Sequence, residues 1–440
     1  MTAAGAVRER RDELQSRPLG DGVTLHVDDR RDQKTVRVDL FLSEPLRPGR
    51  HTLLALLARV LDRGTRRLPD MRSINRYVDE LYGADFTVET EHIGLHQVLH
   101  IGIEVIDARY LPDREDLASR ALAFVHEVLN EPLLRDGVFP AEIVAQEQTG
   151  LQTLIETRVN DRQAYAQRRC LEVMCAGEPA SLSPLGDPEE LARVTAHDLR
   201  VYHQDILRHG VIDLYVSGAV EPAVVEQHCV RLVGRHRRLS PPPSMFDRRI
   251  SRRLERMVNE PLDATQAWIV LGYRTGLRPG DADYPALLLF TQVWGGDNQS
   301  RLFRVVREQA GLCYHIGSHL LGASGIMLVS AGIEVADLQE AMSLISDELE
   351  SLKLGKINAA ELQAARSLLV SRLQQLDEDP WNLICFHYRQ RLAQSGYTRS
   401  GLAAAIEAVD AASLTRAARY VWRDLVYLVH PSTVYPEQQP

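Results

Sequence analysis

The string LRPG stands at residues 46–49 and again at 277–280, and GIEV at 102–105 and again at 332–335, offsets of 231 and 230 residues. One such coincidence is chance. Two at nearly one offset mark an internal duplication, which sets the architecture before any motif does. The neighbouring segments agree. In each copy an alternating apolar stretch, 35–42 and then 267–273, has the period of a strand. LRPG follows as a turn, and then an apolar helix ended by glycine: 53–62 before Gly64, and 286–294 before Gly295. A short polar helix and a second run of strands lead to GIEV. Helical stretches 140–174 and 189–207 are answered by 358–393 and 403–421, and each copy closes on one strand, 211–216 and 425–429.

Between the copies, RHRRLSPPPSMFDRRISRRLE has three prolines, many arginines and little apolar periodicity, the composition of a solvated connector. The chain therefore divides into an N-terminal segment (1–22), a first lobe (23–234), a linker (235–256) and a second lobe (257–440). The expected fold class is α+β. Two homologous lobes, each a mainly antiparallel sheet packed with helices around its own core, form a hinged shell about a cavity.

Composition narrows the function. At 440 residues, 45% hydrophobic and 25% charged, the chain is of ordinary globular type and too long for one core. A net charge of −9 gives no support for nucleic acid or an anionic membrane as partner. No window approaches the roughly 20 apolar residues of a membrane span, and the opening MTAAGAVRERRDELQ is charged where a secretory signal is apolar. Five scattered cysteines fit reduced thiols and a cytoplasmic location.

Several strings resemble the insulinase/pitrilysin peptidase family. GGDNQSRLFRVVREQAGLCYHIGS (295–318) is similar to that family's glycine loop, S-R-L-F helix and R-x6-Y element. LLARVLDRGTRRLPDMRSINRYVDELYGADF (56–86) occupies the place of the metal helix and the segment after it. The helix beginning Glu147-Gln-Thr-Gly echoes another family helix, and the resemblance runs from about Val23 to Tyr435. VDELYGADF, NDRQAYAQRRCLEVM and IDLYVSGAV are most similar to a bacterial non-catalytic branch that pairs with a zinc-bearing relative.

The resemblance implies H-x-x-E-H, whose two histidines sit one helical turn apart and share an ion while the glutamate activates its water. Aligned through Arg63-Gly64-Thr65, those positions fall on Ala55, Ala58 and Arg59, and the ligand from a later helix falls on Leu154. Hydrocarbon offers no lone pair, and Arg59 places a fixed cation beside a divalent one. No one-residue shift helps, because 52–65 contains neither histidine nor glutamate. Other candidates fail on spacing. His126-Glu127 reaches Asn130 where a second histidine is needed, and reads as the polar face of a helix. His92, His96 and His100 recur every four residues in strand-like sequence, where that step spans about 13 Å; His315 and His319 fail likewise. His51 reads as a cap or surface residue. No metal ligand and no cofactor are expected in this chain, zinc being expected in its partner.

Arg307 and Tyr314 match the family's R-x6-Y pair, which the resemblance assigns to holding the substrate backbone. A guanidinium and a phenol can both donate to a peptide carbonyl. The plainer alternative pairs Arg307 with Glu308 or Glu147 and packs Tyr314 in a strand. Gly295 and Gly296 match the glycine loop and equally read as a helix stop. An exposed sheet edge would take an extended peptide by strand addition. The resulting expectation is a catalytically inactive subunit of a heterodimeric zinc-peptidase-like complex, with peptide or unfolded polypeptide as ligand. The alternative is a non-proteolytic scaffold or peptide-binding pseudopeptidase.

Overall fold

The computed structural model describes residues 14–20, 22–230, 255–262 and 266–431. Strands β1 (Gln15–Gly20), β2 (Val23–Asp29), β3 (Thr35–Pro45), β4 (Asp85–Ile93), β5 (His96–Ile106) and β6 (Val211–Gly218) form one sheet in the order β1-β2-β6-β3-β5-β4. Strands β7 (Arg256–Leu262), β8 (Ala267–Arg274), β9 (Cys313–Leu321), β10 (Ile326–Ile333) and β11 (Trp422–Pro431) form the other, β7-β11-β8-β10-β9. With β1 set aside, the two orders are the same. Each has one parallel pair, β2 with β6 and β7 with β11, among antiparallel neighbours. LRPG follows β3 and β8, and GIEV falls at β5 and β10, so the duplication read from the strings is a duplication of topology.

The first lobe carries α1 (Arg50–Leu61), α2 (Met71–Glu80), α3 (Leu117–Asn130), α4 (Ala141–Thr157), α5 (Arg162–Met174), α6 (Pro188–Leu191), α7 (Ala196–His209) and α8 (Pro222–Val230). The second carries α9 (Tyr284–Gly295), α10 (Leu338–Lys353), α11 (Ala359–Gln375), α12 (Pro380–Leu392), α13 (Arg399–Glu407) and α14 (Ala411–Tyr420). Local chemistry sets several starts. Asp70 with Ser73, Thr195 with Asp198 and Asn358 with Glu361 make reciprocal capping boxes at α2, α7 and α11. Gly49, at φ 76°, supplies the left-handed turn that delivers the chain from LRPG into α1.

Each sheet buries one face against helices of its own lobe. Leu40, Leu42, Leu99 and Ile101 meet Leu54, Leu57, Phe124 and Val128 in the first core; Ile269, Leu271, Phe290, Trp294 and Leu349 meet in the second. The other faces are covered by exchange. From the first lobe, α5 lays Ala166, Cys170 and Met174 on Val270, Leu328, Leu425 and Tyr427. In return α12 lays Ile384 and Tyr388 on Phe41, Val98 and Tyr215. Glycine at 272 permits the first contact, since a Cβ there would stand 2.5 Å from Met174 Sδ. The α+β, two-lobed reading stands, but the cores are not wholly self-contained. β10 is buried along its whole length and β3 nearly so, which demands a layer on both faces, and the opposite lobe supplies the second.

The first sheet begins earlier than residue 23, because β1 pairs with β2 from Gln15. Most of the expected linker lies outside the described residues; Arg256, at its end, already opens β7. All five cysteines are free and four are buried, and burial pushes the thiols of Cys175 and Cys229 up to about 12. Among the described residues no helix is long and apolar enough to cross a membrane.

Candidate functional site

Ala55 and Ala58 lie on the buried side of α1, 5% and 3% exposed. One residue on, Arg59 reaches toward α4, where its Nε stands 2.9 Å from Glu147 Oε2, and Arg63 Nε stands 2.6 Å from Glu147 Oε1. Glu147 is only 1% exposed, so its carboxylate is held by two guanidinium groups and by little water. Gly150, one turn along α4, makes the room: a Cβ there would stand 3.0 Å from Arg59 Nη2. Burial raises the carboxyl of Asp62 above its ordinary range, partly offset by Arg63. The residue of α4 that faces the Ala55–Arg59 turn is therefore Glu147. Leu154, the position carried over from the resemblance, is 43% exposed on α4.

This arrangement does not fit a divalent ion. Two methyl groups bring no electron pairs, and the one carboxylate that faces them is already neutralised by tethered cations. Among the described residues no group of three or more His, Cys, Asp or Glu side chains is arranged to hold a metal.

The histidines fall out differently from their spacing. His92 ends β4 and His96 begins β5, across the turn at Gly94, so the three residues do not share one strand. Burial pushes His92 down to about 3. His51 is in the first turn of α1 but 4% exposed, not a surface residue. Glu127, expected on a solvated helix face, is 8% exposed and accepts from Thr65 Oγ1 at 2.5 Å and Arg67 Nε at 2.9 Å. A long apolar α3 pressed on β5 leaves that carboxylate inside.

In the second lobe two backbone irregularities fall on Arg307 and Tyr314. Arg307 sits in a π-helical stretch, Phe303–Gln309, exposed, with its guanidinium 4.5 Å over the Phe303 ring. The stretch is anchored just upstream, where Arg301 meets Glu361 at 2.8 Å and Glu348 at 3.3 Å. Then β9 begins with a bulge: Cys313 faces Ile333 and His315 faces Gly332, leaving Tyr314 without a partner on β10. A bulge re-aims the side chain it carries. Tyr314 is 82% exposed, on a strand that forms the free edge of its sheet. Glu147 is spent on Arg59 and Arg63, so the Arg307–Glu147 alternative is absent. Gly295 is buried at the end of α9, where a Cβ would stand 2.8 Å from the Ser318 amide nitrogen on β9. Its place is a close helix–strand crossing, with Gly296 as the cap.

A family model described as "Peptidase M16 inactive domain" matches residues 193–369. Over those residues the chain is similar to an M16-type, insulinase-like peptidase domain described as inactive. It is 28% identical over 409 residues to "Probable inactive metalloprotease YmfF" of Bacillus subtilis, covering 93% of this chain and 96% of that one. Against "Uncharacterized zinc protease YmxG" of the same organism it is 26% identical over 196 residues, 43% of this chain and 46% of the relative. A crystal structure of a conserved protein from Enterococcus faecalis superimposes with TM-score 0.88 at 27% identity, over 96% of this chain and 100% of that one.

Proposed function

We propose that the chain is the non-catalytic subunit of a heterodimeric, zinc-dependent peptidase-like complex. It closes a chamber against an insulinase-type subunit that carries the metal, has no cofactor of its own, and binds peptide or unfolded polypeptide. The observation that carries this reading is the pairing of irregular backbone at Arg307 and Tyr314 with their exposure. A π-helix and a bulge both cost regular hydrogen bonding, and such irregularities gather at functional sites. Here they present one guanidinium and one phenol beside a free strand edge, donors suited to a peptide carbonyl. The likeness to a relative described as probably inactive, over nearly the whole chain, and the Arg59–Glu147 pair support a division of labour in which hydrolysis belongs elsewhere.

The test is to combine the chain with a relative that carries H-x-x-E-H and to follow cleavage of an unfolded peptide. Cleavage should rise on mixing and fall back with Arg307→Ala and Tyr314→Phe. Absence of association, or cleavage indifferent to both substitutions, rules the reading out.

A further inference from the structure

A polar row crosses the first sheet beneath α12. Ser16 on β1 stands opposite His26 on β2, and His26 stands opposite Tyr215 on β6. Strand alternation puts Asp213 on the same face as Tyr215. The contacts run in series: Ser16 Oγ to His26 Nδ1 at 2.8 Å, then His26 Nε2 to Asp213 Oδ1 at 3.0 Å. The side chains of His26 and Asp213 are each 1% exposed, while Ser16 is at the surface. Ser16 and His26 border a cavity of about 490 Å³ between the lobes, walled by Leu14, Leu383 and Phe386 and by His387 and Arg391.

We propose that this cavity is a separate acyl-ester hydrolase site, with Ser16 as nucleophile, His26 as its general base and Asp213 orienting the base. The roles follow from the order of contacts. With Nε2–H donated to Asp213, the lone pair of Nδ1 faces the Ser16 hydroxyl. The imidazole is held flat on Tyr215, ring centres 4.3 Å apart. Asp213 is fixed in turn by Arg391 Nε at 2.6 Å. A second histidine, His387, lines the same cavity. Tyr215 hydroxyl meets His387 Nδ1 at 2.8 Å, and burial, with His26 and Arg391 nearby, pushes His387 down to about 4. A neutral ring that accepts at Nδ1 keeps its proton at Nε2, and its centre is 5.1 Å from that of His26. The volume and apolar walls suit a small ester with a hydrocarbon acyl chain.

The chemistry balances without a co-reactant other than water. Ser16 Oγ bonds to the ester carbonyl carbon as its proton passes to His26 Nδ1. The tetrahedral intermediate collapses, the carbon–oxygen bond to the alcohol breaks, and the alcohol leaves with that proton. Water, deprotonated by the same nitrogen, then attacks the acyl group on Ser16; the carboxylic acid departs and the hydroxyl is restored. The site lies on the opposite face of the sheet from α1, and uses neither Arg59, Glu147, Arg307 nor Tyr314.

The test uses the full chain alone, a fluorophosphonate probe and p-nitrophenyl butyrate. One phosphonyl group per chain should appear, mapped to Ser16 by peptide mass, with hydrolysis of the ester. Ser16→Ala, at an exposed position that leaves the thermal midpoint unchanged, should abolish both. His26→Gln should slow labelling by about 100-fold or more. A wild-type chain that takes no label, a label mapped elsewhere, or full ester hydrolysis by Ser16→Ala overturns the proposal, and none of these bears on the peptide-binding reading.

Discussion

Arg59 on α1 and Glu147 on α4 meet at 2.9 Å, and with Arg63 they tie the two helices through one buried carboxylate. Removing both guanidinium groups strands that carboxylate. Arg59→Ala with Arg63→Ala should cost about 2–3 kcal/mol in urea unfolding, less than a fully buried pair because each arginine is roughly a third exposed. Adding Glu147→Gln should return most of the loss. A double variant as stable as the parent would mean the tie is ornamental.

The same geometry allows a metal site to be built between α1 and α4. Ala55→His, Ala58→Glu, Arg59→His and Arg63→Ala together put two imidazoles one helical turn apart and release Glu147 from both of its arginines as a third ligand. Elemental analysis should then find about one zinc per chain, lost again with Glu147→Gln, whereas the parent takes none. Equal zinc in the two variants would exclude Glu147 as a ligand.

Tyr314 should separate function from stability. At 82% exposed it contributes little to the fold, so Tyr314→Phe should change stability by less than about 0.5 kcal/mol while lowering peptide affinity. Calorimetry on parent and variant gives both numbers.

Phe41→Ala should do the reverse. Its ring is 4.1 Å from that of Tyr388 on α12 and 4.8 Å from that of His100. Truncation leaves a void between the lobes and should cost about 3–5 kcal/mol. Proteolysis within α12 should speed up before cleavage elsewhere.

Acid should destabilise the protein through His203. Burial pushes its pKa down to about 4, while it donates from Nε2 to the Leu129 carbonyl at 2.7 Å. Between pH 6.5 and 4 the unfolded chain takes up a proton that the folded chain refuses, so stability is full above that window and falls as pH drops through it, by about 3 kcal/mol. His100 works in opposition. Burial lowers it, but hydrogen bonds to Asp39 and Glu89 prevail and raise it, so its contribution is present in acid and lost as pH rises. His203→Gln should be weaker at neutral pH and show a shallower acid slope; an unchanged slope would assign the effect to other groups.

The sequence reveals the duplication because turns and strand periods are local. LRPG, Gly64 and the alternation at 35–42 each act within a few residues, and the strand order comes from repeating them. The exchange of α5 and α12 is not legible. Their apolar residues could meet either sheet, and the sheet is selected by a missing side chain at Gly272 and an aromatic stack that only the fold assembles. The Ala55–Arg59 turn is legible on α1, but the residue of α4 that faces it is not. There the signal is Gly150 beside Glu147, meaningful only once a guanidinium is seen to need the space. Ser16, His26 and Asp213 escape sequence reasoning altogether: they are far apart in the chain and meet through strand pairing.

The traded helices also govern the fate of a polypeptide severed between its halves. Either fragment made alone would present a naked sheet and an orphan helix, and should precipitate. Produced in one cell, the two pieces would find each other and migrate as a single particle, so a nick in the connector would be invisible until denaturant is added.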